Sequence, residues 1–198
     1  RAHWPPYYHQ PGEFAERSAG IKELVGLPVI GIGRINTPSL AEQMIAQGKM
    51  DLVGMVRELI ADPHFPNKAR SGRVEDIRTC LACNQSCAGR QVLNLPITCI
   101  YNPVTGHEKK WADPGPAPVK KKVVVIGGGP AGMEAARVAA ERGHQVVLFE
   151  RTERLGVQVK LAMTTPMRES FEEIIRFGEK QLPKLGVDVR LGVEATAD

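Results

Sequence analysis

Short apolar runs in the first third of the chain predict buried strands. Residues 28–33 are apolar and β-branched and end at glycine, which is typical of such a strand. Thr37 precedes a proline and an apolar stripe of helical spacing, so a helix is predicted from there to Gly48. Residues 51–56 form a second apolar run, closed by Arg57. Strand, helix and strand with short connections predict parallel pairing and an α/β architecture.

The last third of the chain repeats this alternation of strand and helix. Strands are predicted at residues 122–126, 145–149 and 187–191, with helices at 131–142 and 169–185 between them. A proline near the end of the second helix predicts a stop or a kink there. This segment is therefore also predicted to be α/β.

A proline-rich stretch separates the two α/β segments. Residues 111–118 contain three prolines and read as a natural domain boundary. The chain starts on arginine rather than methionine and stops at Asp198, soon after a predicted strand. We therefore expect it to be a piece of a longer protein.

All four cysteines lie in one window between these segments. Cys80, Cys83 and Cys87 have the spacing C-x2-C-x3-C, and Cys99 follows after eleven residues. Thiolates at this spacing converge on one metal centre, and a triplet plus a single cysteine favours a [4Fe–4S] cluster over the paired knuckles of structural zinc. Zinc and unliganded thiols remain alternatives, whereas disulfides do not suit a cytoplasmic enzyme.

A glycine-rich turn follows the predicted strand at 122–126. Its sequence, GGGPAG, has the G-x-G-x-x-G pattern between a strand and a helix, the context that makes this motif specific for dinucleotides. Gly127 permits the tight turn, Gly129 lets a pyrophosphate approach the backbone, and Gly132 allows close packing of helix on strand. The helix N-terminus then offers amide N–H groups to the phosphate charge.

Further candidate contacts surround this turn. Glu150 closes the next strand, where a carboxylate accepts hydrogen bonds from ribose hydroxyls. Pro130 and Ala131 give the turn a form that resembles FAD-binding units. Arg151, beside the acid, and Gln158 complete the candidate FAD contacts.

Arginine and glycine follow the two predicted strands of the first segment. In (β/α)8 barrels a phosphate often lies between the loops after the last two strands. The backbone at Gly33 and Arg34, together with the guanidinium of Arg57, is a candidate phosphate clamp. The alternative is that Arg57 simply pairs with a nearby acid such as Asp62.

Composition and charge argue against a nucleic-acid-binding or membrane-spanning protein. The 198 residues are 42% hydrophobic and 24% charged, and the net charge of +4 is spread along the chain. The run Lys120–Lys122 is interpreted as a solvated linker end rather than a nucleic-acid patch. No segment is long and apolar enough to cross a bilayer, and the start lacks the apolar core of a signal peptide. A cytoplasmic protein without nucleic-acid or membrane partners is expected.

The order of the motifs resembles a known family. The motifs that carry the resemblance are, in chain order, GIGRI, RELIADP, CLACNQSC, CIYNP and GGGPAG. The chain is similar to 2,4-dienoyl-CoA reductase, trimethylamine dehydrogenase and histamine dehydrogenase, in which a barrel of the Old Yellow Enzyme type is fused to a FAD/NAD module. Two positions depart from the family pattern: Glu58 stands where proline is common, and Val157 stands where glycine is common and adds a side chain near a bound flavin.

The resemblance implies three regions. Residues 1–75 would be the last strands of an FMN-binding TIM barrel, 76–118 the iron–sulfur segment and linker, and 119–198 the start of a Rossmann-like FAD/NAD(P)-binding domain. It also implies that the four cysteines hold the cluster, and that Arg57 and the backbone at Gly33 and Arg34 hold the FMN phosphate.

The resemblance also implies an activity. In reductase-like members NAD(P)H reduces FAD, the cluster passes single electrons to FMN, and FMN reduces an activated C=C bond of a small-molecule substrate. In dehydrogenase-like members electrons leave an amine towards an external acceptor. Asn84 and Gln85, beside Cys83, and the GGGPAG turn favour the reductase-like branch.

Two other interpretations are compatible with parts of the sequence. A relative of the glutamate synthase small subunit would carry more cysteines and lack the barrel segment, and a zinc-stabilised scaffold would bind a nucleotide as a regulator. No catalytic residue is assigned, because substrate-facing side chains are expected on earlier strands. Tyr7, Tyr8 and His9 are expected to pack against their surroundings.

Overall fold

The computed structural model of the protein describes residues 3–196. The chain divides into two compact units, Arg1–His107 and Glu108–Asp198. Each unit contains a sheet whose strands run parallel, with helices between them. The predicted α/β class is therefore confirmed.

The first unit is built on a pair of very short strands. Strand β1 (Ile30–Gly31) pairs in parallel with β2 (Leu52–Val53). The predictions of six-residue strands were too long. Gly33 adopts a φ of +125°, which turns the chain out of the extended conformation, and a helix begins at Arg57.

Helix α2 joins these strands as predicted. It spans Pro38–Ala46, and the hydroxyl of its N-cap Thr37 accepts a hydrogen bond from the Leu40 N–H at 3.2 Å. Gly48, with a φ of +70°, follows the helix end. Met44 is buried in a small core cluster and Leu40 packs against it, whereas Ile45, the third residue of the predicted stripe, is 41% exposed.

The remaining helices of the first unit were not predicted. They are α1 (Ala15–Leu24), α3 (Arg57–Ala61), α4 (Phe65–Arg70), a 3-10 turn (Val74–Asp76) and α5 (Ala88–Gln91). Most span only four to six residues, too short for an apolar period to be visible in sequence. Helix α3 matters most, because it carries Arg57 and Glu58 towards the cysteines.

The second unit holds a three-stranded parallel sheet in the order β3–β4–β5. Its elements are α6 (Glu108–Trp111), β3 (Lys122–Ile126), α7 (Pro130–Glu141), β4 (Gln145–Glu150), α8 (Val157–Met163), a 3-10 turn (Glu169–Phe171), α9 (Glu172–Lys184) and β5 (Asp188–Leu191). Register pairs Val123 with Val146, and Leu148 with Val189. The strands predicted here agree with these bounds to within one residue.

The core of the second unit lies between this sheet and two helices. Met133 and Ala136 of α7 and Leu182 of α9 pack on Val146 and Leu148 of the central strand. All five side chains are buried. The predicted stop near the C-terminal proline of α9 is confirmed, because the helix ends one residue after it.

Among the residues that the structure describes, no helix is long and apolar enough to span a membrane.

Candidate functional site

All four cysteine side chains line one small cavity in the first unit. Burial raises the pKa of the Cys80 thiol to about 12, and the neighbouring charges of Glu58 and Cys99 add to the rise. Burial also raises the pKa of Cys83, with further contributions from Cys87 and Cys99. Cys99 therefore lies close enough to Cys80 and Cys83 to raise the pKa of both, despite its distance in sequence.

Backbone N–H groups point at the sulfur atoms of this cavity. The Ala82 N–H donates to Cys80 Sγ at 3.4 Å, and the Tyr101 N–H donates to Cys99 Sγ at 3.4 Å. The first contact depends on a left-handed backbone at Ala82, whose φ is +53°. Such hydrogen bonds stabilise thiolates and tune the potential of a cluster that they hold.

Four cysteines can hold either a structural zinc ion or an iron–sulfur cluster. Within residues 3–196, no three His, Cys, Asp or Glu side chains lie close enough together to hold one ion. Structural zinc draws its thiolates to about 2.3 Å from one point, whereas a [4Fe–4S] cluster is held by four cysteines bound to separate irons. The four thiols line one cavity, and four cysteines are the ligands that a [4Fe–4S] cluster requires.

Helix α3 fixes both cysteine loops through hydrogen bonds. The carboxylate of Glu58, only 3% exposed, accepts the Cys80 N–H at 2.8 Å. The Ile60 carbonyl accepts from Asn102 Nδ2 at 3.0 Å and from Thr105 Oγ1 at 3.0 Å, just after the fourth cysteine. The glutamate that departs from the family pattern thus has a structural role beside the first cysteine.

Asp62, at the end of α3, anchors the segment that leads to the cysteines. Its buried carboxylate accepts the His64 N–H at 3.0 Å and the Arg78 N–H at 2.9 Å, and pairs with the Lys68 ammonium. The alternative that Arg57 pairs with Asp62 is wrong, because this carboxylate is occupied by Lys68. The side chain of Arg57 is directed elsewhere.

A second, larger cavity of about 240 Å³ lies beside the cysteine cavity in the same unit. The loops after β1 and β2 supply much of its wall, including the candidate phosphate-clamp residues Gly33, Arg34 and Arg57. Cys80 and Cys87 line both cavities. The candidate phosphate site and the candidate cluster site are therefore neighbours.

The two arginines of this cavity are held by backbone carbonyls. Arg57 Nη1 donates to the Pro5 carbonyl at 2.9 Å and to Asn84 Oδ1 at 2.6 Å. Arg34 Nη1 donates to the Tyr7 carbonyl at 2.8 Å and to the His9 carbonyl. Burial lowers the pKa of Arg34, and the charge of Arg57 lowers it further. Two cations therefore face one cavity, which suits an anionic group.

The chain before α1 provides those carbonyls. The rings of Tyr7 and Tyr8 meet edge to face with centroids 5.5 Å apart, and His9 contacts the Glu13 carboxylate at 3.2 Å. The three rings contact one another, and Tyr8 is 55% exposed.

In the second unit, the glycine-rich turn has the geometry that its sequence predicts. Gly127 has a φ of +98°, and a Cβ on Gly132 would lie 1.9 Å from the Gly127 carbonyl oxygen. A Cβ on Gly129 would meet nothing within 4 Å. Gly132 is thus required for packing of α7 on β3, whereas the space above Gly129 is open for a ligand.

Glu150 is held at the end of β4 by the turn itself. Its carboxylate accepts the Thr152 N–H at 2.9 Å, the Thr152 hydroxyl at 2.8 Å and the Gly128 N–H at 2.7 Å. The Thr152 and Gly128 N–H groups lower the pKa of Glu150, so the side chain is ionised at neutral pH. Thr152 was missed by the sequence reasoning, although a threonine two residues after an acid is a typical local hydrogen-bond partner.

The other predicted FAD contacts lie around this turn. Pro130 begins α7 and Ala131 follows it, while Arg151 is exposed beside Glu150 and adds to the lowering of its pKa. Gln158 is exposed in the first turn of α8. Val157 opens that helix and is 44% exposed.

Each unit of the chain matches a known protein family. Residues 5–76 match the model of the NADH:flavin oxidoreductase / NADH oxidase family, and residues 121–197 match that of pyridine nucleotide-disulphide oxidoreductases. An NADH oxidase of Thermoanaerobacter brockii is 48% identical over 90% of this chain and 28% of its own length.

Two solved structures extend the likeness. A 2-naphthoyl-CoA reductase in complex with 2-naphthoyl-CoA superposes with a TM-score of 0.94 at 39% identity, over 100% of this chain and 30% of its own. Histamine dehydrogenase from Rhizobium sp. 4-9 gives a TM-score of 0.89 at 33% identity, over 98% of this chain and 29% of its own. The chain thus spans less than a third of the length of these relatives.

Proposed function

We propose that this chain, whose residues 5–76 match the NADH:flavin oxidoreductase / NADH oxidase family, is part of an iron–sulfur flavoprotein oxidoreductase. In this proposal the first unit is the end of an FMN-binding TIM barrel followed by the [4Fe–4S] segment. The second unit is the start of a Rossmann-like domain that binds FAD and receives electrons from NAD(P)H.

One observation carries the proposal. The cavity lined by Gly33, Arg34 and Arg57 shares Cys80 and Cys87 with the cavity lined by all four thiols. A [4Fe–4S] cluster, when bound, supplies one-electron transfer, which zinc cannot. In this proposal the cluster and the FMN phosphate would be held side by side, which is the task expected of a redox protein scaffold.

The residues of each unit have distinct roles in this proposal. Arg57 and the backbone at Gly33 and Arg34 bind the FMN phosphate and so fix the position of the flavin. In the second unit, the N-terminus of α7 receives the FAD pyrophosphate above Gly129, and the ionised Glu150 accepts hydrogen bonds from the ribose.

We propose reduction of an activated C=C bond as the reaction of the whole protein. The likeness to 2-naphthoyl-CoA reductase, together with the Asn-Gln pair beside Cys83, favours this branch. Oxidation of an amine towards an external acceptor is the second candidate, because histamine dehydrogenase is also similar over nearly the whole chain.

An anaerobic assay of the full-length protein separates the two reactions. Oxidation of NADH or NADPH that depends on an α,β-unsaturated thioester supports the reductase. Bleaching of the flavin by a small secondary or tertiary amine, without any pyridine nucleotide, overturns it in favour of the dehydrogenase.

The Arg57→Ala variant tests the phosphate site. We expect the Kd for FMN to rise roughly 100-fold, because a hydrogen bond to a charged group contributes about 1.5–3 kcal/mol. The affinity for riboflavin, which lacks the phosphate, should stay within about twofold. Quenching of flavin fluorescence in the flavin-depleted full-length protein measures both constants.

Arg70→Ala is the matched control, since Arg70 is exposed at the end of α4, away from the cavity. It should leave both flavin affinities unchanged. Equal losses for FMN and riboflavin in Arg57→Ala would refute the assignment of Arg57 to the phosphate.

A further inference from the structure

Asn84 lines the cysteine cavity but offers no thiol, and its side chain contacts Arg57, which also lines the larger cavity. Its Oδ1 accepts a 2.6 Å hydrogen bond from Arg57 Nη1, and its Nδ2 donates to the Trp4 carbonyl at 2.8 Å. We propose that Asn84 is a positioning residue for the Arg57 guanidinium, so that the affinity for the FMN phosphate depends on the turn between the second and third cysteines. This inference rests on the proposed role of Arg57 in FMN binding.

The backbone of the turn explains why asparagine suits this position. Asn84 has a φ of +58°, in the left-handed region that asparagine tolerates better than most residues. The Gly89 N–H donates to the Asn84 carbonyl at 2.8 Å and closes the turn around Cys87. The loop that carries the cysteines therefore also positions the side-chain amide of Asn84 next to Arg57.

The two polar ends of the amide have different partners, which sets its orientation. Only the oxygen can accept from Arg57, and only the nitrogen can donate to the Trp4 carbonyl. With Asn84 and the Pro5 carbonyl both on Nη1, one corner of the guanidinium is fixed. A planar guanidinium held at one corner can present its remaining N–H groups to a phosphate in a defined direction.

Repulsion between Arg57 and Arg34 explains why the hydrogen bond from Arg57 to Asn84 matters. Arg57 lies near enough to Arg34 for its charge to lower the pKa of Arg34, so the two guanidinium groups repel each other. Without the amide oxygen, Arg57 Nη1 keeps only the Pro5 carbonyl as an acceptor, so the guanidinium is held less firmly against this repulsion. The bound phosphate would then have to restore the geometry at a cost in affinity.

The test compares two identical substitutions in the full-length protein. Asn84→Gly keeps the left-handed backbone accessible and removes only the side chain. Asn94→Gly is the matched control, because Asn94 is exposed in the same segment and has a φ of +55°. Fluorescence titration of the flavin-depleted protein gives Kd values for FMN and for riboflavin.

We expect Asn84→Gly to raise the Kd for FMN about tenfold, equivalent to about 1.4 kcal/mol, and to leave that for riboflavin within about twofold. Asn94→Gly should change neither. In an Arg57→Ala background, Asn84→Gly should add no further loss of FMN affinity, because it acts through that arginine.

Other outcomes overturn the inference. If Asn84→Gly binds FMN like the wild type, or weakens FMN and riboflavin equally, Asn84 does not position Arg57. Additive losses in the double variant lead to the same conclusion. If Arg57→Ala itself retains full FMN affinity, the proposed phosphate site fails and this inference fails with it.

Discussion

Replacing Gly132 with alanine is expected to unfold or severely destabilise the second unit and to abolish FAD binding. The added Cβ would lie 1.9 Å from the Gly127 carbonyl oxygen, a backbone atom that cannot move without displacing β3 or α7. Overpacking of this kind costs about 3 kcal/mol, a large part of the stability of a small domain. Urea unfolding followed by circular dichroism, with an FAD titration in parallel, measures both effects.

Gly129→Ala in the same turn distinguishes an effect on FAD binding from an effect on the stability of the second unit. Its Cβ would meet no protein atom within 4 Å, and its φ of −75° is ordinary for alanine. This variant should keep the unfolding midpoint of the wild type and lose FAD affinity, because the methyl group occupies the space proposed for the pyrophosphate. Retention of full FAD affinity in Gly129→Ala would contradict the placement of the dinucleotide.

Cys99→Ala is expected to remove the iron–sulfur cluster from the full-length protein. Four thiols line the cavity, and the substitution deletes one together with the hydrogen bond from the Tyr101 N–H to its sulfur. Three remaining thiolates leave one iron without a protein sulfur. Iron content should fall to below about a quarter of that of the wild type, as measured by colorimetric assay after anaerobic purification.

Ser86→Ala is the control for the cysteine substitution. Ser86 lines the same cavity, and its carbonyl accepts the Thr98 N–H at 2.9 Å, a bond that the substitution leaves intact. This variant should keep the iron content of the wild type. If Cys99→Ala also keeps it, Cys99 is not a ligand and the proposed set of four thiolates is wrong.

The second unit shows how much local pattern can predict. The β-branched run at 122–126 forms β3 with the predicted bounds. In the glycine-rich turn after it, Gly127 has the positive φ and Gly132 the close packing that the spacing of the motif implies. These features depend on residues near one another in sequence. Local propensity and turn chemistry are therefore enough to specify them.

The first unit shows where sequence patterns stop being informative. The contact of Glu58 with the Cys80 N–H spans 22 residues, and that of Arg57 with Asn84 spans 27. Neither has a periodic signature, since each depends on the tertiary docking of α3 against the cysteine loops. Strands β1 and β2 were also predicted too long. In each, the apolar run in the sequence continues beyond the two residues that pair with the other strand.

The central claim is that the four cysteines hold one [4Fe–4S] cluster beside the FMN phosphate site, and metal and sulfide analysis tests it most directly. The full-length protein, purified without oxygen, should contain about four iron and four acid-labile sulfide per chain. It should be brown and lose its broad visible absorbance on reduction with dithionite. A colourless protein with about one zinc per chain and no sulfide would contradict the claim.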